Sequence, residues 1–197
     1  MALLAGLLLP FQVFNDVALR IGRAIGIVAI GLMVVAILIQ VCFRYVLNNA
    51  LPWPDEAARF MMMWMTGLLA PMAYRRGGFV AIDMFLRMLP LRIGAILSLF
   101  LLIIASIVLA LAVKIGWSEV TGFGGRFATA ALYIPTSIDF SSYLRVPRSW
   151  MMASLLVGVV LLSIVNFELI LRSIITLLGG GDQLKSLAAP EDEIMAE

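Results

Sequence analysis

The residues of this sequence that are best suited to chemistry lie in one short run, LPWPDEAAR at positions 51–59. Two adjacent carboxylates, Asp55 and Glu56, have the chemistry of a general acid and base, and Arg59 follows Asp55 at a helical ion-pair spacing. The chain contains no histidine and one cysteine, Cys42, so it offers neither the commonest general base nor a thiol metal site. We therefore expect no catalytic residues, no metal site and no cofactor, and we predict that the chain is not an enzyme.

The same run also has the features of a helix start at a membrane surface. Pro54 suits the first helical position, and the two acids after it then lie beside unpaired backbone N–H groups. Trp53 suits the level of the lipid headgroups. Capping requires neither the tryptophan nor both acids, so a contact with a partner protein stays open as the alternative. The predicted contact residues are Trp53, Asp55, Glu56, Arg59 and Arg44.

The composition of the chain is that of a membrane protein. Of its 197 residues, 63% are hydrophobic and only 13% are charged, against about a quarter charged in soluble domains. A chain this short cannot hide so much apolar surface in a core, because small domains leave much of their surface exposed. The net charge of +2 is small and the basic residues are scattered, so we expect no nucleic-acid partner.

Four stretches of the sequence are long and apolar enough to cross a bilayer, which takes about 20 residues. They are residues 21–43, 57–74, 93–113 and 150–170. Basic residues bracket these spans and are predicted to anchor them at the interface; the anchors include Arg75, Arg76, Lys114 and Arg172. The predicted fold class is an all-α membrane protein with four transmembrane helices.

The remaining segments are predicted to lie at or outside the membrane. Residues 1–19 are predicted to form an interfacial N-terminal segment, and residues 79–89 a short interfacial helix between the second and third spans. The glycine- and proline-containing stretch 114–148 is typical of an extramembrane connection. Residues 179–197 form an acidic tail that we expect to be mobile, which leaves 20–178 as the four-helix membrane domain.

The middle thirds of the predicted spans contain no ionisable residue. Because a charge at that depth is costly and is kept for function, we predict that the chain has no ion path of its own. Glu168 and Arg172 lie near the end of the fourth span and are spaced to pair with each other. Residues 22–26 (GRAIG) and 154–158 (SLLVG) have the small-x-x-x-small spacing that lets helices approach closely.

The distribution of positive charge predicts the orientation, because cytoplasmic loops carry an excess of Lys and Arg. The 14 basic residues divide between the two sides as eight and six. The larger set comprises Arg20, Arg23, Arg75, Arg76, Arg87, Arg92, Arg172 and Lys185, and the smaller set comprises Arg44, Arg59, Lys114, Arg126, Arg145 and Arg148. We therefore predict that both termini lie in the cytoplasm.

Several runs also match the order of motifs in a known family. These runs are FRYVLN at 43–48, LPWPDEAAR at 51–59, AYRRGG at 73–78, AID at 81–83, and LRVP at 144–147 before Trp150. Together they resemble the small membrane (DctQ-type) subunit of the tripartite ATP-independent periplasmic (TRAP) transporters, over roughly residues 20–172. Two features depart from the family: Phe79 stands where many members carry histidine, and residues 120–139 look longer than usual.

The resemblance implies a non-catalytic subunit in a bacterial or archaeal cytoplasmic (inner) membrane. It implies two protein partners, a large membrane permease subunit and a periplasmic substrate-binding protein. In such a system the large subunit moves an organic anion with a sodium gradient, and the small subunit packs against it as a scaffold.

Two other classes of function fit parts of the sequence. An accessory or assembly subunit of another membrane complex, respiratory or photosynthetic, would share the apolar spans and the lack of midplane charge. A membrane-embedded enzyme, such as a lipid-modifying transferase, would need convergent polar residues at one membrane depth.

Overall fold

The computed structural model describes residues 2–77, 90–135 and 143–180. These residues form four α-helices: α1 is Ala2–Tyr45, α2 is Trp53–Arg75, α3 is Leu91–Thr121 and α4 is Arg148–Leu177. The predicted interfacial helix at 79–89 lies outside the described residues, and so does nearly all of the predicted tail at 179–197.

In the described part of the chain, three helices are long and apolar enough to cross a membrane, over Gly6–Tyr45, Ile93–Thr121 and Arg148–Leu177. The helix α2, which contains the predicted second span, is not among them, because polar and small side chains interrupt its apolar sequence. The predicted all-α class and its membrane spans are confirmed in these three helices, and the count of four spans stays a prediction.

The helix α1 is longer than the predicted first span. Its 44 residues correspond to a length of about 66 Å at the usual rise per residue, whereas a bilayer core is about 30 Å thick. The boundary predicted between residues 19 and 20 therefore falls inside one continuous helix. The interfacial position of residues 1–19 stays a prediction.

The connection between α3 and α4 contains a small β-hairpin that the sequence analysis did not predict. A single 3-10 turn, Phe123–Arg126, is followed by strand β1 (Ala128–Pro135) and strand β2 (Tyr143–Pro147). The strands are antiparallel, and their register shifts between Ala128 and Tyr133. Local glycine and proline content indicated only turns here, whereas the strands form because each supplies the other with backbone partners.

The chain divides into two compact units. The first unit comprises Met1–Arg20, Ala70–Leu111 and Val160–Glu197, and the second comprises Ile21–Leu69 and Ala112–Val159. In the first unit, the buried side chains of Leu8, Leu171 and Ile175 form an apolar cluster.

Close helix packing characterises the second unit. A Cβ atom added at Gly158 of α4 would lie 2.7 Å from the carbonyl oxygen of Gly67 on α2. On the other side of α2, a Cβ atom added at Gly22 of α1 would lie 3.3 Å from the carbonyl oxygen of Leu68. Both small-x-x-x-small motifs therefore lie at close helix contacts, and in each case the absence of a side chain on glycine permits the approach.

Candidate functional site

The acidic pair at the start of α2 occupies the first helical turn, as predicted. Asp55 is exposed and accepts a hydrogen bond from Gln40 Nε2 on α1, at 3.4 Å. The predicted pairing of Asp55 with Arg59 is absent from the ion pairs of the described residues, and Arg59 is exposed. Trp53 is 41% exposed. Asp55, Arg59 and Trp53 therefore remain accessible to a partner.

Glu56 has a role that neither interpretation of the sequence included. Its Oε1 atom accepts the backbone N–H of Ala130 at 3.0 Å, and its Oε2 atom accepts the backbone N–H of Ala131. Both alanines lie in the stretch of β1 where the hairpin register shifts. The carboxylate thus supplies acceptors to two strand N–H groups and ties the hairpin to the start of α2.

The remaining predicted contact residue, Arg44, is exposed near the end of α1. Its guanidinium group lies 5.8 Å from the ring centroid of its neighbour Tyr45. Among the described residues, no ion pair joins Arg44 to either acid of α2. The structure therefore gives no direct link between Arg44 and the acidic pair.

A second polar cluster, centred on Glu168, lies in the first unit. The Glu168 side chain is fully buried and accepts three hydrogen bonds from described residues. Asn15 Nδ2 donates to its Oε2 atom at 2.6 Å, while Arg75 Nη2 and Arg172 Nε donate to its Oε1 atom at 2.8 and 3.1 Å. The predicted pairing of Glu168 with Arg172 is confirmed.

Arg75 also pairs with Asp16 of α1, which completes the group that we call the Glu168 cluster. Its members are Asn15, Asp16, Arg75, Glu168 and Arg172. Among the described residues of the cluster, two carboxylates face two guanidinium groups. A cation would have to displace an arginine from either acid, so the arrangement favours a link between helices over an ion site.

Asn166 forms a neighbouring polar link in the same unit. Tyr74 of α2 donates its hydroxyl to Asn166 Oδ1 at 2.5 Å. Asn166 Nδ2 donates to the Leu102 carbonyl oxygen at 3.1 Å and to Ser106 Oγ at 2.7 Å, both on α3. Together with the Glu168 cluster, these bonds join all four helices through side-chain contacts.

The four predicted interface anchors divide into two groups. The side chains of Arg75 and Arg172 are only 10% and 11% exposed and pair with acids of the same chain. Arg76 and Lys114 are exposed, and for them anchoring at the interface stays a prediction. Asn15, Asp16 and Asn166 were not predicted from the sequence, although the Asn-Asp pair inside an apolar run is a local signal for the first two.

These features define the chain as a multi-pass helical membrane protein whose buried polar groups hold its helices together. A family model described as the DctQ component of the tripartite ATP-independent periplasmic transporters matches residues 33–176. Because that match covers well over half of the sequence, the chain belongs to this family of transporter components. No curated protein and no solved structure matches the chain.

Proposed function

We propose that the chain is the non-catalytic small subunit of a TRAP-type secondary transporter. The observation that carries the proposal is the family match over residues 33–176. The Glu168 cluster supports it, because the buried ionisable groups of the cluster are engaged with one another in an arrangement suited to holding helices. The subunit then acts as a scaffold, and the transport chemistry belongs to its partners.

The proposed partners are a large membrane permease subunit and a periplasmic substrate-binding protein. In this proposal the binding protein delivers an organic anion, and the large subunit takes it up with a sodium gradient. The first contact proposed for the large subunit is the exposed group at the start of α2, which comprises Trp53, Asp55 and Arg59. Arg44, near the end of α1, is proposed to belong to the same contact. Glu56 supports this surface from within the chain, since its carboxylate holds the hairpin.

Reconstitution tests the scaffold role directly. Proteoliposomes that contain only this chain should show no uptake under a sodium gradient, and adding the large subunit and the binding protein should restore it. Saturable sodium-driven uptake by the chain alone would contradict the proposal. Co-purification of the chain with a large permease expressed from the same cell provides the parallel test of assembly.

The proposed location is a cytoplasmic membrane with both termini in the cytoplasm, on the basis of the eight-to-six division of basic residues. Single cysteines at three exposed positions, Asn49, Arg76 and Gly124, in a Cys42→Ser background test this orientation. A membrane-impermeant thiol reagent applied from the periplasm should label positions 49 and 124 and leave position 76 unlabelled. Labelling of position 76 from the periplasm would contradict the proposed topology.

A further inference from the structure

Most of the outward surface of the helices has the composition expected next to lipid. On α1, the exposed side chains include Ile25, Val28, Leu32 and Val35, which are 49% to 60% exposed. On α3, the same kind of surface continues through residues such as Ile107. Large aliphatic side chains are the most favourable groups to present to acyl chains.

The outward face of α2 differs from these surfaces. Its exposed positions in the second unit include Arg59, Met62, Met63 and Thr66, at the spacing of one helical stripe. We call these four residues the α2 stripe. Along α2, all of which is described, the only large hydrophobic side chains among the exposed ones are Trp53 and the two methionines of the stripe.

The other sides of α2 are already covered within the chain. Leu68 and Leu69 pack against the glycines of α1, and Gly67 packs against Ser154 and Gly158 of α4. The α2 stripe is therefore the side of this helix that the described residues of the chain leave exposed. The stripe also belongs to α2, which, unlike the other three described helices, is not apolar enough to qualify as a membrane span.

We propose that the α2 stripe binds a transmembrane helix of the large membrane subunit. This inference rests on the proposed function and names the surface on which assembly occurs. Small and polar residues such as Thr66 allow a second helix to approach closely, since helices in a bilayer associate by packing and hydrogen bonding. The methionines adapt to the shape of a partner. Arg59 is costly beside acyl chains and favourable beside an acidic or carbonyl group of a partner helix.

A bulky substitution on each kind of surface tests the assignment. Thr66→Trp fills the stripe, and Leu32→Trp is its matched control, because both positions are exposed and lie near the middle of their predicted spans. Each full-length variant is co-expressed with the large subunit, and the amount of large subunit that co-purifies is measured. Overpacking a helix interface should reduce the yield about tenfold or more for Thr66→Trp. Leu32→Trp and the conservative Thr66→Val should retain the wild-type yield.

The outcomes separate the surface assignment from the proposed function. If the wild-type chain captures no large subunit, the proposed function fails and the inference falls with it. If the wild type captures the large subunit and Thr66→Trp captures it equally well, only the stripe assignment is overturned. Equal losses from Thr66→Trp and Leu32→Trp would also overturn it, because the aliphatic face would then serve equally as partner surface.

A labelling measurement keeps the test valid if Thr66→Trp does not accumulate. Thr66→Cys and Leu32→Cys, each in a Cys42→Ser background, are spin-labelled in the assembled complex, and their collision with oxygen dissolved in the lipid is recorded. The label at position 66 should be shielded several-fold more than the label at position 32. Equal accessibility would place lipid on the stripe and overturn the inference.

Discussion

Replacing Glu168 by glutamine should destabilise the protein by removing the central charge of a buried ion-pair network. The substitution preserves size and shape, and the glutamine oxygen can still accept from Arg75 and Arg172. Its amide nitrogen would face Asn15, whose buried Oδ1 atom has no hydrogen-bond partner among the described residues and can turn to accept from it. The variant therefore isolates the loss of charge from the loss of packing.

The size of the effect follows from what remains of the cluster. Glu168→Gln leaves two guanidinium groups that are 10% and 11% exposed, and among the described residues the half-exposed Asp16 is the acid that still pairs with one of them. Breaking a buried ion pair from one side costs about 3–5 kcal/mol. Because Asp16 still pairs with Arg75, we expect a loss of stability at the lower end of this range, about 3 kcal/mol. This corresponds to roughly a 150-fold fall in the ratio of folded to unfolded protein.

Equilibrium unfolding by SDS in mixed micelles, followed by tryptophan fluorescence, measures this change. Glu119→Gln is the matched control, because Glu119 is exposed and belongs to no ion pair of the described residues. The double variant Glu168→Gln with Arg172→Gln removes both members of one ion pair, so its loss should be smaller than the sum of the two single losses. If Glu168→Gln stayed within roughly 0.5 kcal/mol of the Glu119→Gln control, the cluster would not stabilise the fold.

Two further predictions concern the second unit. Glu56→Gln removes one of the two acceptors that hold β1 and should destabilise the hairpin by about 1–2 kcal/mol. We expect this loss as roughly tenfold faster hydrogen exchange in the hairpin. The control Asp55→Asn should leave hydrogen exchange there unchanged. Equal rates of hydrogen exchange in the hairpin of both variants would show that Glu56 only caps the helix and does not hold β1. Gly158→Ala places a methyl group against the backbone of Gly67 and should lower stability by about 1–3 kcal/mol in the same SDS assay. The control is Gly31→Ala, whose added Cβ atom would have no neighbour within 4 Å and whose effect on stability should be neutral or slightly favourable. Equal losses of stability from both alanine variants would show that the close helix approach does not stabilise the protein.

The sequence was sufficient to predict the elements of this fold whose signals are local. Long apolar runs predicted α1, α3 and α4, and the spacing of four residues predicted the pairing of Glu168 with Arg172. The recurrence of small residues at helical spacing marked Gly22 and Gly158 as positions where helices can approach closely, and both lie at helix contacts in the structure.

The contacts that the sequence did not reveal join residues far apart in the chain. Asn15 and Glu168 are separated by 153 positions, and Glu56 and Ala130 by 74. A lone sequence carries no information on which helices are neighbours, so the partners of a carboxylate across the fold cannot be derived from spacing. The hairpin was missed for the same reason, because each strand forms only when the other supplies its backbone hydrogen bonds.

The two kinds of helix contact in this chain follow from the weakness of the hydrophobic effect inside a bilayer. Acyl chains are as apolar as leucine, so an aliphatic helix face gains little by turning from lipid to protein. A subunit that must keep one helix arrangement therefore needs contacts that lipid cannot replace. In the first unit these are hydrogen bonds and ion pairs around Glu168, and in the second they are glycine contacts such as that of Gly67 with Gly158. In the proposed scaffold role, such a chain can retain ionisable residues in its helices without moving ions, because among the described residues Asp16 and Glu168 pair with arginines of the same chain.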